Sequence, residues 1–201
     1  MKNIFDLETQ NDSLDAKITA GFERLSQVFR VLLWEKAKNN DLSPIQIQLL
    51  IFIKYHSANK ATVSYLAKEF NLAKATVSDS IRVLEQKKYI TKVPHTEDSR
   101  SSTIALTPEG IQVVDLTENF TDPVYDIIAS TAEKDKIILW RSITSFIQQL
   151  NHIQIISAQN SCSTCDYFEQ ENGSNHCRLL QIRLKTEDIK LDCQEHKPAR
   201  L

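Results

Sequence analysis

The 201-residue chain has no cysteine before Cys162, only three glycines and one methionine, and no apolar run longer than Leu49-Leu50-Ile51-Phe52-Ile53. Each shortage excludes a class of protein. Three scattered glycines (Gly21, Gly110, Gly173) cannot build a Gly-rich phosphate loop, so nucleotide enzymes of the P-loop or Rossmann kind drop out. Five apolar residues in a row fall far short of the roughly 20 that a bilayer-spanning helix needs. The start, Met1-Lys2-Asn3-Ile4-Phe5-Asp6, lacks the apolar stretch and small-residue cleavage site of a secretory signal. A soluble, cytoplasmic chain with no membrane partner is expected. Charge of one sign is also lacking: 24 basic residues against 26 acidic ones leave a net charge of −2. That excludes a uniformly basic nucleic-acid wrapper and leaves room for a local basic face. Apolar residues at 41% and charged residues at 25% are ordinary values for one or two globular domains.

What is present is mostly helical. Ile18, Phe22, Leu25, Phe29, Leu32 and Leu33 recur at three- and four-residue spacing, which predicts an amphipathic helix from Leu14 to Lys38, with Ser13 as its cap and Asn39-Asn40-Asp41 as its end. Ser43-Pro44 starts a second helix that runs to about His56. A short helix follows from Thr62 to Phe70, closed by Asn71 in a left-handed conformation. The next runs from about Lys74 to Lys87, with Val77, Ile81 and Leu84 on its inner face. The period then becomes alternating: Ile90–Val93 and Ile104–Leu106 read as two strands of a hairpin, joined by the polar stretch from His95 to Ser102. Thr107 caps a helix that begins at Pro108, Asp122-Pro123 marks a break or kink, and a last helix spans about Ala132 to Ile155.

Two short helices with a tight turn, followed by a hairpin, make a winged helix-turn-helix, whose second helix can enter the major groove of DNA. Charge agrees locally: between Lys60 and Thr107 eight basic residues face five acidic ones, a net +3 inside a chain that is net −2. Taken alone, such a face could equally be a solvated surface. Leu42-Ser43-Pro44-Ile45-Gln46, Ala73-Lys74-Ala75-Thr76-Val77-Ser78 with Leu84-Glu85, and Asp98-Ser99-Arg100-Ser101 leading into Leu106-Thr107-Pro108-Glu109-Gly110 together resemble the MarR family of bacterial transcription regulators. The likeness covers residues 14 to 155.

The resemblance implies a mainly α fold with a small β-hairpin wing: a winged helix-turn-helix plus a helical dimerisation region. Residues 1–156 then form the family domain, with dimerisation helices at about 14–38 and 108–155 and a DNA-binding lobe at about 42–107. It also implies a homodimer, acting as a repressor, on a pseudo-palindromic double-stranded operator, with a small-molecule ligand between the dimerisation helices and the lobe. Carried over residue by residue, Lys74, Thr76, Ser78, Asp79 and Arg82 lie on the recognition helix. Arg100 is the wing arginine, held by Asp98 and followed by Ser101. Two positions depart from the family. Asp79 stands where many relatives carry Arg, and an Asp accepts from cytosine but repels phosphate. Lys88 stands where relatives place Gly, so the recognition helix is expected to end differently.

Residues 157–201 form a polar, cysteine-rich extension. Cys162-x-x-Cys165, Cys177 and Cys193, with His196 as an alternate ligand, have the residue types and spacing of a metal site, and a segment so short of core side chains needs a staple. Zinc is the expected cofactor, an iron–sulfur cluster on four cysteines the runner-up, and free or disulfide-bonded thiols the plain alternative. Such a tail would make DNA binding responsive to metal or redox state. His56 and His152 have no partner acid in the sequence pattern, and Trp34 and Trp140 read as core or dimer contacts. No spacing fixes a Ser-His-Asp or paired-carboxylate arrangement, so no enzyme is expected. The alternative function is a metal-binding interaction adaptor that keeps the winged-helix scaffold without binding an operator.

Overall fold

The computed structural model describes residues 3–94, 102–157, 160–171 and 173–199. Helices α1 (Leu7–Asp12) and α2 (Leu14–Asn39) lead into α3 (Pro44–Tyr55), α4 (Val63–Glu69) and α5 (Lys74–Gln86). Strands β1 (Ile90–Pro94) and β2 (Ser102–Leu106) form the hairpin, in antiparallel register from Ile90↔Leu106 to Pro94↔Ser102. Then come α6 (Pro108–Thr117), α7 (Asp122–Ala129) and α8 (Glu133–His152). The tail holds β3 (Phe168–Glu171), β4 (Ser174–Cys177) and β5 (Ile182–Leu184), a small antiparallel sheet in the order β3-β4-β5.

Local chemistry sets the helix starts. Ser13, Thr62 and Thr107 each accept a backbone N–H of their helix's first turn, and Ser43 with Gln46 completes a capping box behind Pro44. The helix ends work without glycine. Asp41, Asn71, Lys88 and Gln154 all take positive φ, between 51° and 62°. The residue after each returns its N–H to a carbonyl five positions back: Leu42 to Ala37, Leu72 to Ala67, Tyr89 to Leu84 and Ile155 to Leu150, at 2.9–3.0 Å. The expectation that Lys88 would change the end of the recognition helix is therefore overturned. Lys88 adopts the left-handed geometry itself, at a cost of about 1–2 kcal/mol, offset by this bond and by its own N–H to Glu85 at 2.9 Å. Asp122-Pro123 is not a kink within a helix; Pro123 sits in the first turn of α7.

The buried apolar cluster runs from Leu33 and Ala37 of α2, through Ile47, Leu50 and Leu66, to Val77, Ile81 and Leu84 of α5, Ile104 of β2 and Val114 of α6. The hairpin is tied to this core twice. Ile104 donates its N–H to the Ala61 carbonyl at 2.8 Å, which covers one edge of β2. On the other side, Thr107 donates its N–H to the Tyr89 carbonyl at 3.0 Å, and its hydroxyl donates to the Lys88 carbonyl at 2.7 Å. A Cβ at Gly110 would sit 1.9 Å from that same Tyr89 carbonyl oxygen. Only glycine lets α6 lie this close to the end of the recognition helix, so Leu-Thr-x-x-Gly is a packing motif with a definite cause.

Outside this lobe the chain buries little within itself. Neither α7 nor α8 contains a buried residue. On α2 the apolar stripe Ile18, Phe22, Leu25, Phe29 and Trp34 is 40–55% exposed, although Phe22 meets Phe146 of α8 edge-on with ring centroids 5.5 Å apart. Among the described tail residues only Ser161 and Leu184 are buried. No helix of the described residues is long and apolar enough to cross a membrane.

Candidate nucleic-acid interface and the cysteine module

Helix α5 places Val77, Ser80, Ile81 and Leu84 in the core. The 3.6-residue period then leaves Lys74, Thr76, Ser78, Asp79 and Arg82 together on its exposed face. Ala73, at the N-cap, offers no side-chain oxygen to the first-turn N–H groups. Those donors, with the positive end of the helix dipole, are therefore open to an anion such as a DNA phosphate. Ser80 is turned inward and satisfies its hydroxyl on the Thr76 carbonyl at 3.0 Å.

Asp79 is not a bare negative charge. Its carboxylate accepts from the Arg82 guanidinium at 2.9 Å, one turn along the helix, so each partly neutralises the other. Two further basic residues of this stretch are also engaged. Lys87 clamps Asp41 at 2.6 Å and holds that exposed carboxyl below its usual range, and Lys92 pairs with Glu85 at 2.6 Å. Lys68, Lys74 and Lys88 are exposed and form no ion pair among the described residues. Asp98, Arg100 and Ser101 at the wing tip lie outside the described residues.

The cysteine tail forms two matching turns. Cys165 returns its N–H to the Cys162 carbonyl at 3.1 Å, and His196 returns its N–H to the Cys193 carbonyl at 3.2 Å. Backbone hydrogen bonds lay one turn against the other: Cys162 N–H to the Lys190 carbonyl at 3.0 Å, Cys193 N–H to the Asn160 carbonyl at 2.9 Å, and a bridge between Cys165 and Pro198. Cys177 arrives from β4, paired with Phe168. All four cysteines are half-buried free thiols, and Lys190 donates its N–H to Cys162 Sγ at 3.3 Å. Burial pushes the Cys162 thiol up, and the neighbouring Cys193, Cys165 and Cys177 add to the shift. Among the described residues no three His, Cys, Asp or Glu side chains are already disposed around one metal position.

The tail also grips the helix-turn-helix, through Asp192, Asn160 and Ser157, which the sequence pattern did not single out. Asp192, next to Cys193, makes a short contact with Nε2 of His56 at the end of α3 and lies 3.9 Å from Lys60. Asn160 donates to the Tyr65 hydroxyl of α4 at 2.8 Å. Ser157 donates its N–H to the Asn71 side chain at 2.9 Å and its hydroxyl to the Lys68 carbonyl at 2.7 Å. His56 thus has its acid after all, 136 residues away in sequence. Glu69 beneath this contact is pushed up first by burial and then by the Asp192 carboxylate.

Core, hairpin and exposed recognition helix define the class: a winged helix-turn-helix protein. Residues 40–101 match the model of the MarR family. Among solved structures it is similar to a complex of S. aureus MepR with DNA, with a TM-score of 0.59 and 24% identity, over 66% of this chain and 97% of that one. Streptococcus pneumoniae FabT in complex with DNA gives a TM-score of 0.56 and 25% identity, over 68% and 99%. S. aureus MepR in its DNA-binding conformation gives 0.59 and 23%, over 66% and 98%. Nearly the whole of each relative corresponds to two thirds of this chain. No curated protein sequence matches it significantly.

Proposed function

We infer that this protein is a sequence-specific DNA-binding transcription regulator that works as a homodimer. The observation that carries the reading is the polar and basic face of α5, held rigid over Val77, Ile81 and Leu84 with an uncapped N-terminus pointing outward. That geometry suits insertion into the major groove, where Thr76 and Ser78 meet base edges while Lys74 and the α5 N-terminus meet phosphates. The family match over residues 40–101 and the likeness to MepR and FabT, both seen with DNA, support the same reading.

The dimer rests on unburied surface. A helix pair of 28 residues, α7 and α8, that buries none of its own side chains, beside the exposed stripe of α2, needs a second copy to cover it. Two lobes then present two recognition helices to a pseudo-palindrome. A small-molecule effector, cytoplasmic residence and repression rather than activation belong to the same family-based reading.

The one residue on this face that favours the adaptor alternative is Asp79, whose carboxylate repels phosphate, and its pairing with Arg82 offsets that charge. The test is binding of the full-length protein to duplexes from its own upstream region and to scrambled duplexes of equal composition, with sedimentation to fix the stoichiometry. Two chains per duplex and a preference of a thousandfold or so for one site agree with the reading. Equal affinity for both duplexes contradicts it.

A further inference from the structure

We propose that the C-terminal module is a structural zinc site whose four ligands are Cys162, Cys165, Cys193 and His196, with Cys177 standing outside the ligand set. The two turns, Cys162-x-x-Cys165 and Cys193-x-x-His196, close through the same hydrogen bond from the fourth residue back to the first. They are held face to face by four backbone hydrogen bonds: Cys162 N–H to Lys190, Cys193 N–H to Asn160, Asp166 N–H to Lys197 and Ala199 N–H to Thr164, the last two flanking the bridge between Cys165 and Pro198. Two short chelating turns laid against each other are how small zinc modules gather four donors from two pieces of chain.

His196 supplies the observation that selects the ligand set. Its Nδ1 is buried and has no hydrogen-bond partner among the described residues, while Nε2 stands 2.9 Å from the Thr164 hydroxyl. Thr164 directs its own hydroxyl at the Ser161 carbonyl, at 3.2 Å. With the Thr164 proton on Ser161, the tautomer that fits is the one in which Nε2 donates to Thr164 and Nδ1 is an acceptor without a donor among the described residues. A buried acceptor without a donor is costly, and a metal ion removes the cost. A hydrogen bond from the far nitrogen is the usual way in which a histidine ligand is fixed in tautomer and orientation.

The sulfur donors are prepared in the same sense. The Lys190 N–H already points at Cys162 Sγ, a bond that strengthens when the thiol becomes a thiolate. The backbone of both turns is already hydrogen-bonded into one unit, so assembly of the site is a matter for the side chains of residues the fold has brought together. Three thiolates and one imidazole are a soft, four-coordinate set, which selects zinc over magnesium or calcium. An iron–sulfur cluster usually takes four cysteines and would leave Nδ1 of His196 orphaned.

The experiment is elemental analysis and zinc-edge X-ray absorption on the purified full-length protein. One zinc per chain is expected, with three sulfurs at about 2.3 Å and one nitrogen at about 2.0 Å. His196→Ala and Cys193→Ser are expected to lose the zinc, and Cys177→Ser to keep one equivalent. The absorption spectrum of the unaltered protein decides the ligand set even if a variant misfolds. A four-sulfur shell, loss of zinc in Cys177→Ser with retention in His196→Ala, iron with a brown colour, or protein free of metal would each overturn the assignment. None of these readouts depends on DNA, so the site stands or falls apart from the regulator function.

Discussion

The winged-helix lobe and the C-terminal module are built on opposite principles. In the lobe, an apolar cluster from Leu33 to Val114 is sealed from water, and its burial is the dominant force that holds α3, α5, α6 and the hairpin together. The module has a three-stranded sheet and two tight turns yet buries little beyond Leu184 and Ser161 among its described residues. A segment of that size without a core does not hold its shape by burial, and polar side-chain bonds of about 1 kcal/mol each do not make up the difference. The lobe is held by what it hides and the module by what it ties together, which here means its backbone hydrogen bonds and its bonds to His56 at the end of α3 and to α4.

The largest expected effect breaks the lobe without touching the module. Gly110→Ala forces a methyl group against the Tyr89 carbonyl, where a Cβ would lie 1.9 Å from the oxygen. A stability loss on the order of 3 kcal/mol is expected in denaturant unfolding. A loss under 1 kcal/mol would show that α6 can shift away from the recognition helix.

Chelation is expected to do the reverse. A strong chelator should raise amide exchange about a hundredfold, or roughly 2.7 kcal/mol, at Cys162, Lys190 and Cys193, whose N–H groups are bonded across the two turns. The slow amides of α3 should keep their rates. Equal loosening of both regions would mean that the module is part of the lobe's cooperative unit.

A smaller effect sharpens the view of the lobe. Lys88→Gly removes the cost of a left-handed residue bearing a side chain, at φ 62°, and should stabilise the protein by about 1 kcal/mol. A neutral or negative result would mean that the Lys88 side chain contributes to folding by some contact of its own.

The smallest effect is electrostatic. Lys54 binds Asp115 at 2.5 Å and Glu118 at 2.8 Å, and Tyr55 donates to Glu118 at 2.7 Å, which ties α3 to α6 and the turn after it. The hydrogen bonds that the Lys54 ammonium donates to these carboxylates, Asp115 first, raise its pKa well above the ordinary 10.5. Lys54 and Tyr55 hold Glu118 below its ordinary 4.5. The sign follows for each group. The raised Lys54 contributes below pH 10.5 and loses its contribution as pH climbs through the folded-state value. The lowered Glu118 contributes above pH 4.5 and loses its contribution as pH falls through the folded-state value. Lys54→Met should therefore lower Tm slightly and evenly between about pH 5 and 10, with the gap from the parent protein closing in acid. A gap that widens in acid would contradict this account of the pair.

The same contrast explains what the sequence disclosed. In the lobe, the caps Ser43, Thr62 and Thr107, the left-handed Asn71 and the inner face Val77, Ile81, Leu84 were all legible, because local propensity and burial point the same way there. Lys88 misled because glycine is the cheap solution at a left-handed position and not the only one. In the tail, Cys162-x-x-Cys165 and His196 were visible as chemistry, but β3, β4 and β5 were not. A sheet without an apolar face leaves no alternating pattern to read. The contact between His56 and Asp192 joins residues 136 apart, and nothing in the periodicity of either segment marks the other.

The central claim, that α5 enters duplex DNA with Lys74 on the backbone and Thr76 and Ser78 on the bases, is tested most directly by the salt dependence of binding. For the unaltered protein the logarithm of the affinity should fall steeply and linearly with the logarithm of salt concentration, and Lys74→Ala should make that slope shallower by about 1. Thr76→Ala should keep the slope and lose discrimination between the preferred duplex and its scrambled counterpart. A slope untouched by Lys74→Ala, together with undiminished discrimination in Thr76→Ala, would mean that this helix does not read the DNA.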